Sequence, residues 1–388
     1  MEKSALLKNY NRFTVEFDHG NGFFLYDKNG KEYIDFYCGI AVTSFGHNNS
    51  ILKAAAIEQI NKLWHTSNLF TSSLQESLAN KLSEKSGMDY VFFCNSGTEA
   101  VEAAIKFARK WGAGRNNIIA AHGSFHGRSY GALSATGQFK FWNGFEPLVP
   151  GFSHVPFGSI SAVVNAINDN TAAVMVETIQ GEGGVNVPPD DYLIGLRELC
   201  SEKNILLIVD EIQTGIGRTG KFYSYQHENI IPDIVTSAKG LANGIPLGAT
   251  LCSKEVAECI KPGDHGSTFG GNPIAVAVAN KVVDLLDENF LGEIEKIGTI
   301  LLNGLHGLHH SSIKNIRGKG LIIGVEFSPE VSAKKVSSRM LEEGFVVGTA
   351  GDYVLRILPP FIVTQNEIAK FLLTLKKIID ELSDNNNK

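Results

Sequence analysis

Five short runs of consecutive apolar residues, "DYVFFC" (89–94), "NNIIAA" (116–121), "AAVMVE" (172–177), "NILLIVD" (204–210) and "PDIVTSA" (232–238), punctuate the middle of the chain. A strand with one wet face alternates apolar and polar residues, whereas an uninterrupted apolar run needs cover on both faces. The runs therefore predict a mostly parallel sheet between layers of helix, an α/β architecture. Helical patterns lie between them, as in "TEAVEAAIKFARKW" (98–111) and "PDDYLIGLRELCSEK" (189–203). After about residue 285 the texture changes. A long helix leads to "NIRGKGLIIGVEF" (315–327), "GFVVGTAGDYVLRILP" (344–359) and a last helix in which Ile368, Phe371, Leu372, Leu375, Ile379 and Leu382 make one apolar face. This reads as a smaller α+β domain. The stretch "FFLYDKNGKEYIDF" (23–36) reads as a hairpin around an Asn-Gly turn that joins it. The expected division is an N-terminal segment over 1–50 packing with the small domain, a large domain over 51–285 and the small domain over 286–388. The tail "SDNNNK" is expected to be disordered.

At 388 residues the chain is long enough for two domains with a cleft between them. Thirty-five basic against 41 acidic residues, a net charge of −6 and no long single-sign run argue against a nucleic-acid partner. Cys38, Cys94, Cys200, Cys252 and Cys259 are odd in number and lack C-x-x-C spacing, so neither a disulfide framework nor a metal site is expected. The start has no apolar signal core and no run approaches membrane-spanning length. The expectation is a cytoplasmic protein without a membrane partner.

Gly215, Gly217 and Gly220 stand at the G-x-G-x-x-G spacing of a dinucleotide site, but "DEIQT" separates them from the strand and no clean helical period follows. A loop using glycine's conformational freedom is the better reading. Asp210 ends an apolar strand, where ligands bind in open parallel sheets. Lys239 ends the next one, among glycines and small residues. Alone, the first reads as a helix cap or ion-pair member and the second as a snorkelling surface lysine. Together they suggest a lysine that forms a Schiff base with an aldehyde cofactor and an acid that keeps a pyridinium nitrogen protonated. If the cofactor is pyridoxal phosphate, "CNSGTEAVEAAIKFA" (94–108) supplies its phosphate cradle, a turn opening a helix with free N–H groups at Ser96, Gly97 and Thr98. Ser96 and Glu99 also fit a capping box. "SFHGRSYG" (124–131) offers Phe125 and His126 as cover for a ring.

With these residues assembled, the chain closely resembles the class III aminotransferases, pyridoxal-phosphate enzymes of fold type I, and within them the branch that acts on N-acetylornithine. Nine stretches in order carry the likeness: "GIAVTSFGHNN" (39–49), "HTSNLF" (65–70), "NSGTEAVEAAIKFAR", "FHGRSYGALSATG" (125–137), "ETIQGEGGV" (177–185), "VDEIQTGIGRTGKF", "AKGLANGIPLGA", "HGSTFGGNPIA" (265–275) and "RILPPFIVT" (356–364). The resemblance implies that Lys239 holds the cofactor and shuttles the proton, that Asp210 pairs with the pyridinium nitrogen and that Gln213 contacts the ring's 3-oxygen. Gly97 and Thr98 would take the phosphate and Phe125 would stack on the ring. Thr268 would reach the phosphate in the neighbouring subunit, implying a homodimer with sites at the interface. Arg128 would bind the carboxylate remote from the reacting carbon and Arg356 the one beside it, with Glu182 covering Arg356 when the donor is bound. Ser267 would touch substrate. The implied reaction is transfer of the distal amine of N-acetylornithine to 2-oxoglutarate in arginine biosynthesis. Ornithine, succinylornithine, succinyl-diaminopimelate and 4-aminobutyrate are alternative donors, and an aminomutase or nicotinamide-dependent dehydrogenase the readings from other classes. Thr178 and "GHNNS" depart from the commoner family pattern, while Phe70 followed by Thr71 lacks the nearby tyrosine that would point to ornithine.

Overall fold

The computed structural model describes residues 5–384. Three strands open the chain: β1 (Phe17–Asn21), β2 (Phe24–Asp27) and β3 (Glu32–Asp35). Seven follow: β4 (Tyr90–Cys94), β5 (Asn117–Ala121), β6 (Phe152–Val155), β7 (Thr171–Glu177), β8 (Leu206–Asp210), β9 (Ile234–Ser237) and β10 (Gly248–Cys252). The last five are β11 (Ile313–Lys319), β12 (Ile322–Phe327), β13 (Phe345–Val346), β14 (Gly348–Ala350) and β15 (Val354–Ile357).

The middle seven form one sheet in the order β4-β10-β9-β8-β7-β5-β6, in which β10 runs antiparallel to both neighbours and the remaining pairs are parallel. All five apolar runs lie in this sheet. Strand alternation sorts their side chains into two cores. Leu206 and Ile208 join a cluster with Val101, Ala104 and Ala108 of the helix Gly97–Trp111, whereas Leu207 and Val209 join one with Leu193 and Leu196 of the helix Tyr192–Lys203. Both faces are thus covered, the condition that the uninterrupted runs imposed. Strands β6 and β10, "FSHV" and "GATLC", are additions that the apolar pattern did not reveal.

The expected hairpin is β2 and β3, paired antiparallel with Gly30 at φ +80° in the turn. It joins the late chain twice: β13 pairs in parallel with β3, and Phe36 stacks 4.5 Å from Phe371 of the helix Gln365–Asp384. That helix buries Ile368, Phe371, Leu375 and Ile379 as its spacing predicted, and Ile378 with them. The order β11-β12-β15-β14 makes a separate antiparallel sheet. Of the glycine triplet, Gly217 and Gly220 take φ of +85° and +91° in an irregular loop after β8. Of the tail expected to be disordered, residues 385–388 lie outside the described residues, and 383–384 belong to the last helix. Among the described residues no helix is long and apolar enough to cross a membrane.

Candidate active site

Parallel strands bring their carboxyl ends to one edge of the sheet. Here that edge carries Asn95 and Ser96 after β4, Glu177 ending β7, Asp210 ending β8 and Lys239 two residues beyond β9. They border a cavity of about 430 Å³, which Gly97, Thr98, Phe125, Arg128 and Gln213 also line.

Asp210 is buried, and both of its carboxylate oxygens are hydrogen-bonded. One carboxylate oxygen lies 2.7 Å from Nδ1 of His126, and the other accepts from the Ile212 N–H and the Thr236 hydroxyl, each at 3.1 Å. His126 is buried as well, which by itself disfavours the imidazolium, but its bond to Asp210 wins and its pKa is raised. Its Nε2 has no hydrogen-bond partner among the described residues. Glu177 accepts from the Phe125 N–H at 3.0 Å, and burial lifts its pKa to about 7. Lys239 sits at φ +48°, an uncommon conformation for a side chain with a Cβ. Burial lowers its amine to about 8, with charges but no hydrogen bond from the described residues acting on it.

The helix Gly97–Trp111 points its N-terminus at this cavity, so the Gly97 and Thr98 N–H groups have no intrahelical acceptor. Ser96 caps the helix by accepting from the Glu99 N–H at 3.4 Å. The expected capping box is only half present. Glu99 bonds the N–H and side-chain amide of Asn95, each at 2.8 Å, not the N–H of Ser96, because it reaches one residue further back. Thr98 turns its hydroxyl to Ser129 at 2.7 Å and accepts from the Arg128 and Ser129 N–H groups, tying the helix start to the loop that carries Phe125.

Arg356, on β15, is 1% exposed. One Nη donates to Glu182 at 2.6 Å and to the Gln213 amide oxygen at 3.0 Å, and the other to the phenol oxygen of Tyr37 at 3.0 Å. Gln213 thereby links the arginine to the cavity that Lys239 borders. Arg128 is exposed, its guanidinium 3.9 Å from the centre of the Phe141 ring and 5.4 Å from that of Phe125. Ser267 accepts from the Asn95 amide at 3.1 Å and sits in a neighbouring cleft with Glu99 and His265. Thr268 beside it is exposed and lines no part of its own chain's main cavity.

The structure therefore gathers Ser96, Gly97, Thr98, Phe125, Arg128, Asp210, Gln213 and Lys239 around one cavity, to which the Glu182–Arg356 pair is linked through Gln213. Sequence reasoning passed over Tyr37 and Glu177 and saw His126 only as ring cover. The adjacency of His126 to Phe125 was its one usable signal. Nothing near Tyr37 in sequence indicates an arginine 319 positions away.

A profile of the Aminotransferase class-III family matches residues 6–379. The acetylornithine aminotransferase of Aquifex aeolicus is 47% identical over 96% of this chain and 99% of its own, and that of Bacillus anthracis is 47% identical over 97% of each. Among solved structures, the ornithine aminotransferase of Toxoplasma gondii superposes with a TM-score of 0.94 at 35% identity, covering 98% of this chain and 94% of that one. The N-acetylornithine aminotransferase of Stenotrophomonas maltophilia gives 0.84 at 34%, covering 97% and 98%.

Proposed function

The chain belongs to the class III aminotransferases, pyridoxal-phosphate enzymes of fold type I, and from that premise we propose that it transfers the distal amino group of N2-acetyl-L-ornithine to 2-oxoglutarate. The products are N-acetyl-L-glutamate 5-semialdehyde and L-glutamate, a step of arginine biosynthesis. One observation carries the choice of donor type: Arg356 is buried and already neutralised by Glu182 at 2.6 Å, which disfavours donors with a carboxylate beside the reacting amine.

The residues present fit the cofactor. Among the described residues, a cavity of about 430 Å³ meets a buried amine without a hydrogen bond, a buried His126 Nε2 without a partner and two helix N–H groups without intrahelical acceptors. Gly97 and Thr98, with the capping turn at Ser96, would hold the phosphate through N–H groups and the helix dipole. Phe125 would cover the ring, Gln213 would meet its 3-oxygen and Asp210 its nitrogen. Pyridoxal phosphate, when bound, supplies an aldehyde that condenses with amines and a ring that takes up the electron pair left by a departing proton. Lys239, lowered to about 8 by burial, is partly unprotonated near neutral pH and so can act as nucleophile and then as proton carrier. Asp210, locked by three hydrogen bonds, holds positive charge at a fixed point. Arg356 takes the carboxylate beside the reacting carbon when Glu182 leaves it, since one charge-assisted bond can replace another. Arg128 takes the remote carboxylate, and Ser267 contacts substrate from the adjacent cleft.

The same reading makes the protein a cytoplasmic homodimer, divided near residues 50 and 285. Its five cysteines are all free. Trp64, Leu69, Phe70 and Phe269 leave large apolar surfaces exposed, Leu69 at 90%. They lie on segments tied together by Asn68 bonds to the Ser267 and Gly270 carbonyls and an Asn272 bond to that of Trp64. Such a patch beside Thr268 is the kind a second copy covers. Sedimentation of Leu69→Asp/Phe269→Asp tests this: monomer is expected, and an unchanged dimer removes the assignment. The functional test is the visible absorbance of the purified protein during addition of one equivalent of N-acetylornithine, ornithine or 4-aminobutyrate, then 2-oxoglutarate. N-acetylornithine should bleach the cofactor band fastest and the oxoacid restore it. Faster bleaching by another amine changes the donor, and no band after adding pyridoxal phosphate overturns the assignment.

A further inference from the structure

Glu182, Gln213 and Tyr37 all accept hydrogen bonds from Arg356, but of the three accepting atoms only the Tyr37 phenol oxygen carries a proton of its own to give in return. The phenol donates to no described residue, and burial raises its pKa, so that proton stays in place at neutral pH. Its position is over-determined. The Tyr37 N–H is held by Asp35 at 2.9 Å. The next four residues, Cys38, Gly39, Ile40 and Ala41, all take left-handed φ of 51°, 58°, 70° and 61°, a run that costs L-residues energy and persists only where its surroundings enforce it. The ring packs on Gly348 of β14 so closely that a Cβ there would stand 1.9 Å from Tyr37 Cε2.

We infer that Tyr37 is a specificity-determining residue: when a carboxylate on the reacting carbon replaces Glu182 at Arg356, the Tyr37 hydroxyl donates a further hydrogen bond to it. This rests on the proposed reading of Arg356 as the seat of that carboxylate. The bond selects for the oxoacid and glutamate, which bring a carboxylate to this position. N-acetylornithine, whose carboxylate is remote from the reacting amine, leaves Glu182 where it is. Tyr37 thus favours the second half-reaction over the first, and Glu182 does the reverse.

The test uses Tyr37→Phe in the cofactor-loaded protein and single-turnover absorbance with each substrate. Phe keeps the ring on Gly348 and removes only the hydroxyl. The half-saturation constants for 2-oxoglutarate and glutamate are expected to rise about tenfold relative to that for N-acetylornithine, the size of one hydrogen bond to a charged group. The rate at saturation should move much less than the half-saturation constant. Gly348→Ala, which drives a methyl into the Tyr37 ring, should give the same selective loss with the hydroxyl still present. An equal rise for all three substrates, or none, overturns the inference while leaving the proposed reaction standing. A wild-type protein inert to glutamate and 2-oxoglutarate overturns that reaction and this inference with it.

Discussion

Removing the Glu182 carboxylate exposes the choice between donors most directly. In Glu182→Ala, Arg356 retains only the Gln213 oxygen and the Tyr37 phenol, both neutral, around a guanidinium that is 1% exposed. Breaking a fully buried ion pair costs about 3–5 kcal/mol. The Glu182 side chain is 26% exposed, so the lower figure for a hydrogen bond to a charged group, about 1.5–3 kcal/mol, is the fitting one. On the proposed reading of Arg356, a donor whose carboxylate adjoins the reacting amine would no longer have to displace Glu182 and would supply that missing partner itself. Its kcat/KM relative to N-acetylornithine should therefore rise by about 10- to 150-fold. Stopped-flow bleaching by glutamate and by N-acetylornithine, in wild type, Glu182→Ala and Glu182→Gln, measures the ratio, and a thermal scan should find both variants destabilised. An unchanged ratio alongside a lowered Tm would refute the reasoning, because Glu182 would then support the fold without guarding the arginine.

Lys239→Ala should fold with a Tm within a few degrees of wild type, retain no cofactor on borohydride reduction by mass spectrometry and lose turnover; normal turnover would remove Lys239 from the chemistry. Asp210→Asn should lower turnover by about 10²- to 10³-fold, the usual effect of losing one preorganised electrostatic partner. It should also lower the pKa of His126, read by NMR of the apoprotein, because the bond that raises it is gone. Glu211, buried behind the site and held by Thr214 and the Tyr225 N–H, is raised to about 7 by burial. A carboxyl whose folded pKa lies above its unfolded one makes stability fall as pH rises, here between about 4.5 and 7. Glu177 acts with the same sign. Apoprotein Tm should therefore decline between pH 5 and 8 on their account, and Glu211→Gln should flatten the profile; an unaltered slope refutes this.

The layers around the seven-stranded sheet were legible because burial on both faces of a mostly parallel sheet demands apolar runs, and β4, β5, β7, β8 and the first half of β9 have them. Strands β6 and β10 were not: in "FSHV" Ser153 and His154 interrupt the apolar residues, and in "GATLC" Leu251 is the one large aliphatic side chain. Asp210 and Lys239 were legible for a related reason. A charge at the end of a buried strand or just beyond it is conspicuous in one dimension, and parallel strands put their ends on one edge.

The amino-acid sequence by itself determined the fold class, the edge of the sheet on which the candidate site lies and the residue types gathered there. Only the tertiary structure decided which groups share a proton or a charge: His126 with Asp210 across 84 positions, Glu182 and Tyr37 with Arg356 across 174 and 319. Periodicity reports how one segment meets water, which is local. Hydrogen bonding between side chains depends on where separate segments are brought by the packing of the whole chain, and leaves no spacing in the sequence to read.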